Sequence, residues 1–230
     1  MTRSEVRGSR CKMRLNMNGR LAAVAGLVLF GIGAAAPGRF PDPTVDPKPA
    51  AAGAQTAVLA GGCFWGVEAV FERLDGVSNV VSGFAGGSKW TAHYEVVSTG
   101  TTGHAESVQI TYDPGRVSYG QLLKVFFAVA HDPTELNRQG PDEGTQYRSA
   151  IFYATPDQKT VAEAYIQQLN AAKIFGRTIA TKVVPLEGFY AAEAYHQHFL
   201  DRNPTYPYIV YNDLPKLDHL RKQFPEMLKK

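Results

Sequence analysis

Cysteine is nearly absent from this chain: 230 residues contain two, Cys11 and Cys63. Several other signatures are missing. There is no Gly-x-Ser-x-Gly, so no serine nucleophile on a strand-to-helix elbow, and no glycine-rich phosphate loop. No grouping of His and Cys has convincing zinc spacing; His196 and His198 stand two apart, and on a helix they would diverge. We therefore expect no metal and no bound cofactor. No internal repeat is visible. No uncharged apolar run reaches the roughly 20 residues of a spanning helix. The chain is 44% hydrophobic and 20% charged, ordinary for a globular protein.

Charge is unevenly placed. Residues 1–20 carry six basic side chains against Glu5 alone. Removing that +5 from the chain's +3 leaves the remainder at −2, so no nucleic-acid surface is expected. Leu21 to Ala36 runs without charge and ends in three alanines. A basic stretch, a short apolar stretch and small residues describe a secretory signal. We read 1–36 as signal peptide or signal anchor. The protein is then exported, periplasmic or extracellular, or tethered to the membrane by this segment. Residues 37–54, with five prolines and several alanines, read as an extended linker. Residues 55–230 are long enough for one domain with a real core. We expect it to be monomeric.

Apolar spacing and turn signals assign the elements. Ala57-Val58-Leu59-Ala60 reads as a strand, followed by Gly61-Gly62. Phe64, Val67, Val70, Phe71 and Leu74 make 63–74 an amphipathic helix. Strands follow at 77–84, 106–112, 149–154 and 178–184. Helices are expected at 122–130, entered by a Ser118/Gln121 capping box, at 156–176 with Pro156 in first position, and at 191–202. The stretches 88–103, 131–147 and 203–215 read as loop or coil, and a short basic helix closes the chain. The pattern predicts an α+β fold: a mixed sheet with helices packed against it and a long coil-rich C-terminal region.

Cys63 sits between the glycine turn and the helix start. Free N–H groups and the helix dipole favour a thiolate there. If the leader is removed, this thiol has no partner. A buried, inert cysteine is the competing reading; the flanking glycines and aromatics outweigh it. Period two along the third strand puts Glu106 on the face of Val108, Ile110 and Tyr112, aimed at the core. Burial raises a carboxyl pKa and makes a proton donor. Tyr147 shares phase with Ser149 and Ile151, so its hydroxyl belongs at the sheet end. Trp65 falls off the apolar stripe and suits a pocket wall, whereas Phe64 could be core. His104 or His131 could instead serve a Cys–His hydrolase or acyltransferase, and a non-catalytic peptide-binding module is a third reading.

Six stretches together carry a resemblance: Gly61-Gly62-Cys63-Phe64-Trp65-Gly66-Val67-Glu68, Gly83-Phe84-Ala85-Gly86-Gly87, Gly103-His104-Ala105-Glu106, His131-Asp132-Pro133, Gly144-Thr145-Gln146-Tyr147-Arg148-Ser149 and Ala194-Tyr195-His196-Gln197. In this order, over roughly residues 56–212, the chain closely resembles the A-type peptide methionine sulfoxide reductases. The resemblance implies reduction of methionine S-sulfoxide, free or in proteins, through a sulfenic acid on Cys63. It implies Glu106 as proton donor to the sulfoxide oxygen, Tyr94 and Tyr147 as hydrogen-bond donors to it, Phe64 and Trp65 as a clasp on the ε-methyl, and Asp142 on the substrate backbone. Many relatives carry recycling cysteines in a C-terminal tail. Residues 203–230 contain none, so the implied reductant is an external thiol, thioredoxin-like, glutaredoxin-like or small.

Overall fold

A computed structural model describes residues 40–47 and 53–230. The leader and Cys11 lie outside the described residues. In chain order the domain runs β1 (Gln55–Gly61), α1 (Phe64–Glu72), β2 (Val77–Ala85), α2 (Tyr94–Val97), β3 (Ala105–Tyr112) and α3 (Tyr119–Val125). A two-residue hairpin, β4 (Arg138–Gln139) and β5 (Asp142–Glu143), precedes β6 (Ser149–Tyr153) and α4 (Pro156–Ala171). Then come β7 (Lys182–Pro185), β8 (Phe189–Ala191), α5 (Phe199–Arg202) and α6 (Leu214–Gln223).

The sheet is mixed, in the order β7-β6-β1-β3-β2-β8. Every pairing is antiparallel except β6 with β7. That parallel pair needs a long crossover, and α4 supplies it. Alternation along β1 divides the two faces. Ala57 and Leu59 join the main core with Val108, Ile110 and the apolar face of α1. Val58 and Ala60 join a smaller cluster with Ala150 and Phe152. Glu106 shares the phase of Val108 and Ile110 and is buried with them. The α+β expectation is therefore met, and no helix among the described residues is long and apolar enough to cross a membrane.

Local signals decide the helix ends. Ser118 and Gln121 form the reciprocal capping box that opens α3, and Thr155 caps α4 with Pro156 inside its first turn. Four expectations need correction. The helix expected to reach residue 176 ends at Ala171, just before Lys173 takes a left-handed conformation. The strand expected from 178 begins only at Lys182. The helix expected over 191–202 shrinks to α5, because Phe189–Ala191 is drawn onto the edge of β2 and His198 has a φ of 52°. Within the expected coil at 203–215, Ile209–Asp213 is a π-turn leading into α6; the coil lies instead mostly between Ala172 and His198. Pro215 sits in the first turn of α6, where its missing N–H costs nothing. Leu217 and Leu220 are buried, three apart on the face that meets α1.

Residues 40–47, inside the stretch read as linker, lie along α3 and α4. Pro41 and Asp42 carbonyls accept from Tyr165 and Gln168. The Thr44 N–H donates to Gln168, and Asp46 accepts from the Gly120 N–H and Ser118 Oγ at the start of α3. Asp42 also pairs at 2.5 Å with Lys124, whose side chain is 3% exposed and sits over the Phe224 ring. Asp42→Ala would leave a buried ammonium without its carboxylate. Breaking a fully buried pair costs roughly 3–5 kcal/mol; Asp42 itself is exposed, so we expect a loss of about 1–3 kcal/mol, read as a lower denaturation midpoint at unchanged slope.

Candidate active site

Gly61 and Gly62 turn the chain from β1 into α1. Gly62 has a φ of +89°, and a β-carbon there would lie 2.5 Å from Gln139 Cγ. Only glycine satisfies both the conformation and the close approach. The turn leaves Cys63 at the N-cap of α1, buried and free. The α1 N-terminus is then shared between two groups. The Phe64 N–H donates to Glu106 Oε2 at 3.1 Å, while the Cys63 side chain makes no cap hydrogen bond and the Trp65 N–H acts on it only as a nearby positive dipole. Thiol and carboxyl thus meet at one helix start, brought by neighbouring strands: Leu59 of β1 pairs with Val108 of β3, so Glu106 comes level with the end of β1.

The thiol is not the activated thiolate expected from its position. Burial, and behind it the charges of Glu106 and Asp213, push the Cys63 thiol well up; the Trp65 N–H and Lys216 oppose them. The magnitudes explain the outcome. A helix terminus contributes about 0.3–1 kcal/mol, up to ~2, whereas full burial can shift a titration by the equivalent of roughly 4–7 kcal/mol. The same burial pushes Glu106 up to about 8, against the Phe64 N–H that lowers it. Near neutrality Glu106 is therefore largely protonated.

The aromatics and Asp142 complete the site. Phe64 is fully buried, its ring against Phe84 and His196 at 5.8 and 5.1 Å. Trp65 is half-buried and stacks on Phe199, 3.8 Å between centroids at 10°, with Tyr206 and Tyr208 edge-on. Its indole N–H donates to His196 Nδ1 at 3.2 Å. Tyr94, on α2, packs its ring 4.2 Å from His196; the segment expected as loop there contains this helical turn. Burial, then Glu106, pushes Tyr94 up to about 12. Tyr147 is raised by burial and by the charges of Glu106, Tyr94, Asp142 and Cys63. Both hydroxyls stay protonated, and both feel the charge of Glu106. Asp142, on β5, accepts from Tyr208 and is raised by burial.

All seven residues anticipated from the sequence thus fall at one end of α1. Tyr208 was missed; it lies within electrostatic reach of Cys63 and Asp142. Among eleven tyrosines nothing marked it out. His196 stands in a motif noted above, but its place beneath Trp65 was not foreseen. The histidine base fares badly. His131 has both ring nitrogens engaged, with Phe126 O and Ser149 Oγ, and burial pushes it down to about 3. His104 bonds Ser88 O, and neither histidine is hydrogen-bonded to Cys63. Glu68, Glu72 and His198 bring possible ligand atoms within 4.8 Å of one another. They already hold partners: Glu68 accepts the His198 N–H, and Glu72 pairs with His198 Nδ1 and with Arg73. The trio ties α1 to the turn before α5.

A family model described as peptide methionine sulfoxide reductase matches residues 55–228. The chain belongs to the peptide methionine sulfoxide reductase family. It is 60% identical over 178 residues to peptide methionine sulfoxide reductase MsrA 2 of Mesorhizobium japonicum, covering 77% of this chain and 91% of that protein. It is 56% identical over 193 residues to MsrA 2 of Synechocystis, covering 83% and 90%. The crystal structure of reduced Mxr1 from Saccharomyces cerevisiae superposes with a TM-score of 0.60 at 33% identity, over 71% of this chain and 92% of that one. In this reductase, Gly62→Ala should strain the turn that sets Cys63. We expect a loss of about 1–3 kcal/mol and slower sulfoxide reduction, checked by denaturation and single-turnover kinetics.

Proposed function

We propose that this domain reduces methionine S-sulfoxide with Cys63 as nucleophile and Glu106 as general acid. The observation that carries the assignment is the Phe64 N–H to Glu106 bond, which seats a protonatable carboxyl beside the thiol at one helix start. A sulfoxide S–O bond is strongly polar, positive at sulfur and negative at oxygen. With its sulfur against Cys63 and its oxygen toward Glu106, Tyr94 and Tyr147, it favours the thiolate and at the same time keeps Glu106 protonated, ready to donate to that oxygen. The resting thiol therefore needs no standing activation.

The thiolate attacks the sulfoxide sulfur, and Glu106 protonates the oxygen, which departs as water once a second proton arrives. Water then attacks Cys63 sulfur in the sulfur–sulfur adduct and releases methionine, leaving a sulfenic acid. Two electrons pass from Cys63 to the sulfoxide, whose sulfur ends as a thioether. Phe64 and Trp65 face the ε-methyl, and Asp142 with Tyr208 faces the substrate's polar backbone. Apolar clasp on one side and hydroxyls on the other read the epimer at sulfur. Two external thiols return the sulfenic acid to thiol, forming a disulfide and water; with one cysteine in the domain, a thioredoxin-like dithiol suits the step. The basic and apolar runs before the domain support an exported enzyme.

Glu106→Gln should lower the single-turnover rate by about 10²–10⁴-fold with little change in substrate affinity. The general acid must be protonated, so the parent's chemical step should weaken as pH rises through about 8, and the variant should lose that limb. Cys63→Ser should abolish turnover of the S-sulfoxide; undiminished repair by that variant sinks the assignment.

A further inference from the structure

The mechanism above leaves one buried ion pair unused. Asp213 is fully buried, and its Oδ1 accepts from Lys216 Nζ at 3.0 Å. Both sit where the C-terminal π-turn passes into α6, against the first turn of α1. The fit is close: a β-carbon at Gly66 would lie 2.0 Å from Asp213 Oδ1 and 2.8 Å from Lys216 Nζ. Helix α1 therefore carries glycine where the pair needs room. Asp213 Oδ2 is buried and without a hydrogen-bond partner among the described residues. Stability is a poor explanation for such a pair. Well-packed apolar residues in its place are often neutral or stabilising, and an unsatisfied buried oxygen adds a further cost.

We propose that Asp213 and Lys216 are positioning residues for Cys63: the pair seats the first turn of α1, and the Lys216 ammonium is the cation that offsets the acidic groups around the sulfur. The inference rests on Cys63 being the reacting sulfur. The titratable groups whose charges act on that sulfur come from several elements. They are Glu106 from β3, Tyr94 from α2, Tyr147 from the turn before β6, Tyr208 from the turn before α6, and Asp213 with Lys216 from the C-terminal segment. Asp142 lies one step back, facing Glu106, Tyr208 and Lys216. Among these groups Lys216 is the sole cation. The two members of the pair act on Cys63 in opposite senses, Asp213 against ionisation and Lys216 for it.

The opposition supplies the test. Iodoacetamide labelling of Cys63, followed by peptide mass spectrometry across pH in the full chain, reads the ionisation midpoint without using the sulfoxide reaction. Lys216→Met should raise the midpoint by about half a pH unit or more, leaving about threefold less thiolate at neutral pH. Asp213→Asn should lower it, and Lys216→Arg, which keeps the charge, should leave it near the parent value. Circular dichroism checks that each variant is folded. A general loosening of the site would move Met and Asn variants the same way. Shifts in one direction, or an unmoved midpoint in Lys216→Met, overturn the proposal. If those shifts are absent while the parent still reduces sulfoxide, only this inference falls; if Cys63→Ser keeps full activity, the functional reading falls instead.

Discussion

One hydrogen bond, from the Phe64 N–H to Glu106, fixes the geometry on which this site depends. The donor is among the unpaired N–H groups that open any helix. Most helices satisfy those groups with a polar N-cap side chain; here the N-cap is Cys63, whose side chain makes no capping bond of that kind. The vacancy is filled by a carboxyl on β3, the strand paired with β1. Moving Glu106 by one residue would turn it to the opposite face of β3, and lengthening the Gly61-Gly62 turn would carry the helix start away from it. Strand register and turn length are thus both held by one buried acid.

The chemistry-bearing parts were legible in the sequence because each breaks a local rule. Cys63 stands where Ser or Asp would ordinarily cap a helix, and Glu106 occupies an apolar phase. A residue out of place against a clear period is visible without coordinates. Tyr208, His196 and the Asp213–Lys216 pair break no such rule. They come from the part of the chain with the weakest periodicity, and tertiary packing alone assembles them. Residues 40–47 were hidden for a related reason. Their prolines mark a chain without regular structure, and 40–47 form no helix or strand, but a Pro-rich composition does not say whether the backbone's hydrogen-bonding groups face water or two helices. The overreach of the expected helix at 191–202 has the same origin: its first residue, Ala191, pairs with Gly83 on the open sheet edge, and His198 takes a left-handed conformation.

Electrostatics in this site are governed by dehydration before charge. The N-terminus of α1 pulls Cys63 toward the thiolate, yet exclusion of water outweighs it. On the mechanism proposed above, acid and nucleophile are therefore both stored in neutral form. Such storage protects the sulfur, since a thiol oxidises more slowly than a thiolate, and it makes ionisation conditional on a dipolar guest.

Cys63 is 7% exposed, and this has a kinetic consequence. On the proposed mechanism, so small an exposed edge must be reached both by the oxidised side chain and by whatever re-reduces the sulfur. The first product has to vacate before the second reactant enters, so the two half-reactions alternate in ping-pong order. Crowding by oxidised methionine at high concentration then blocks the spent enzyme from its electron donor, and excess substrate becomes an inhibitor.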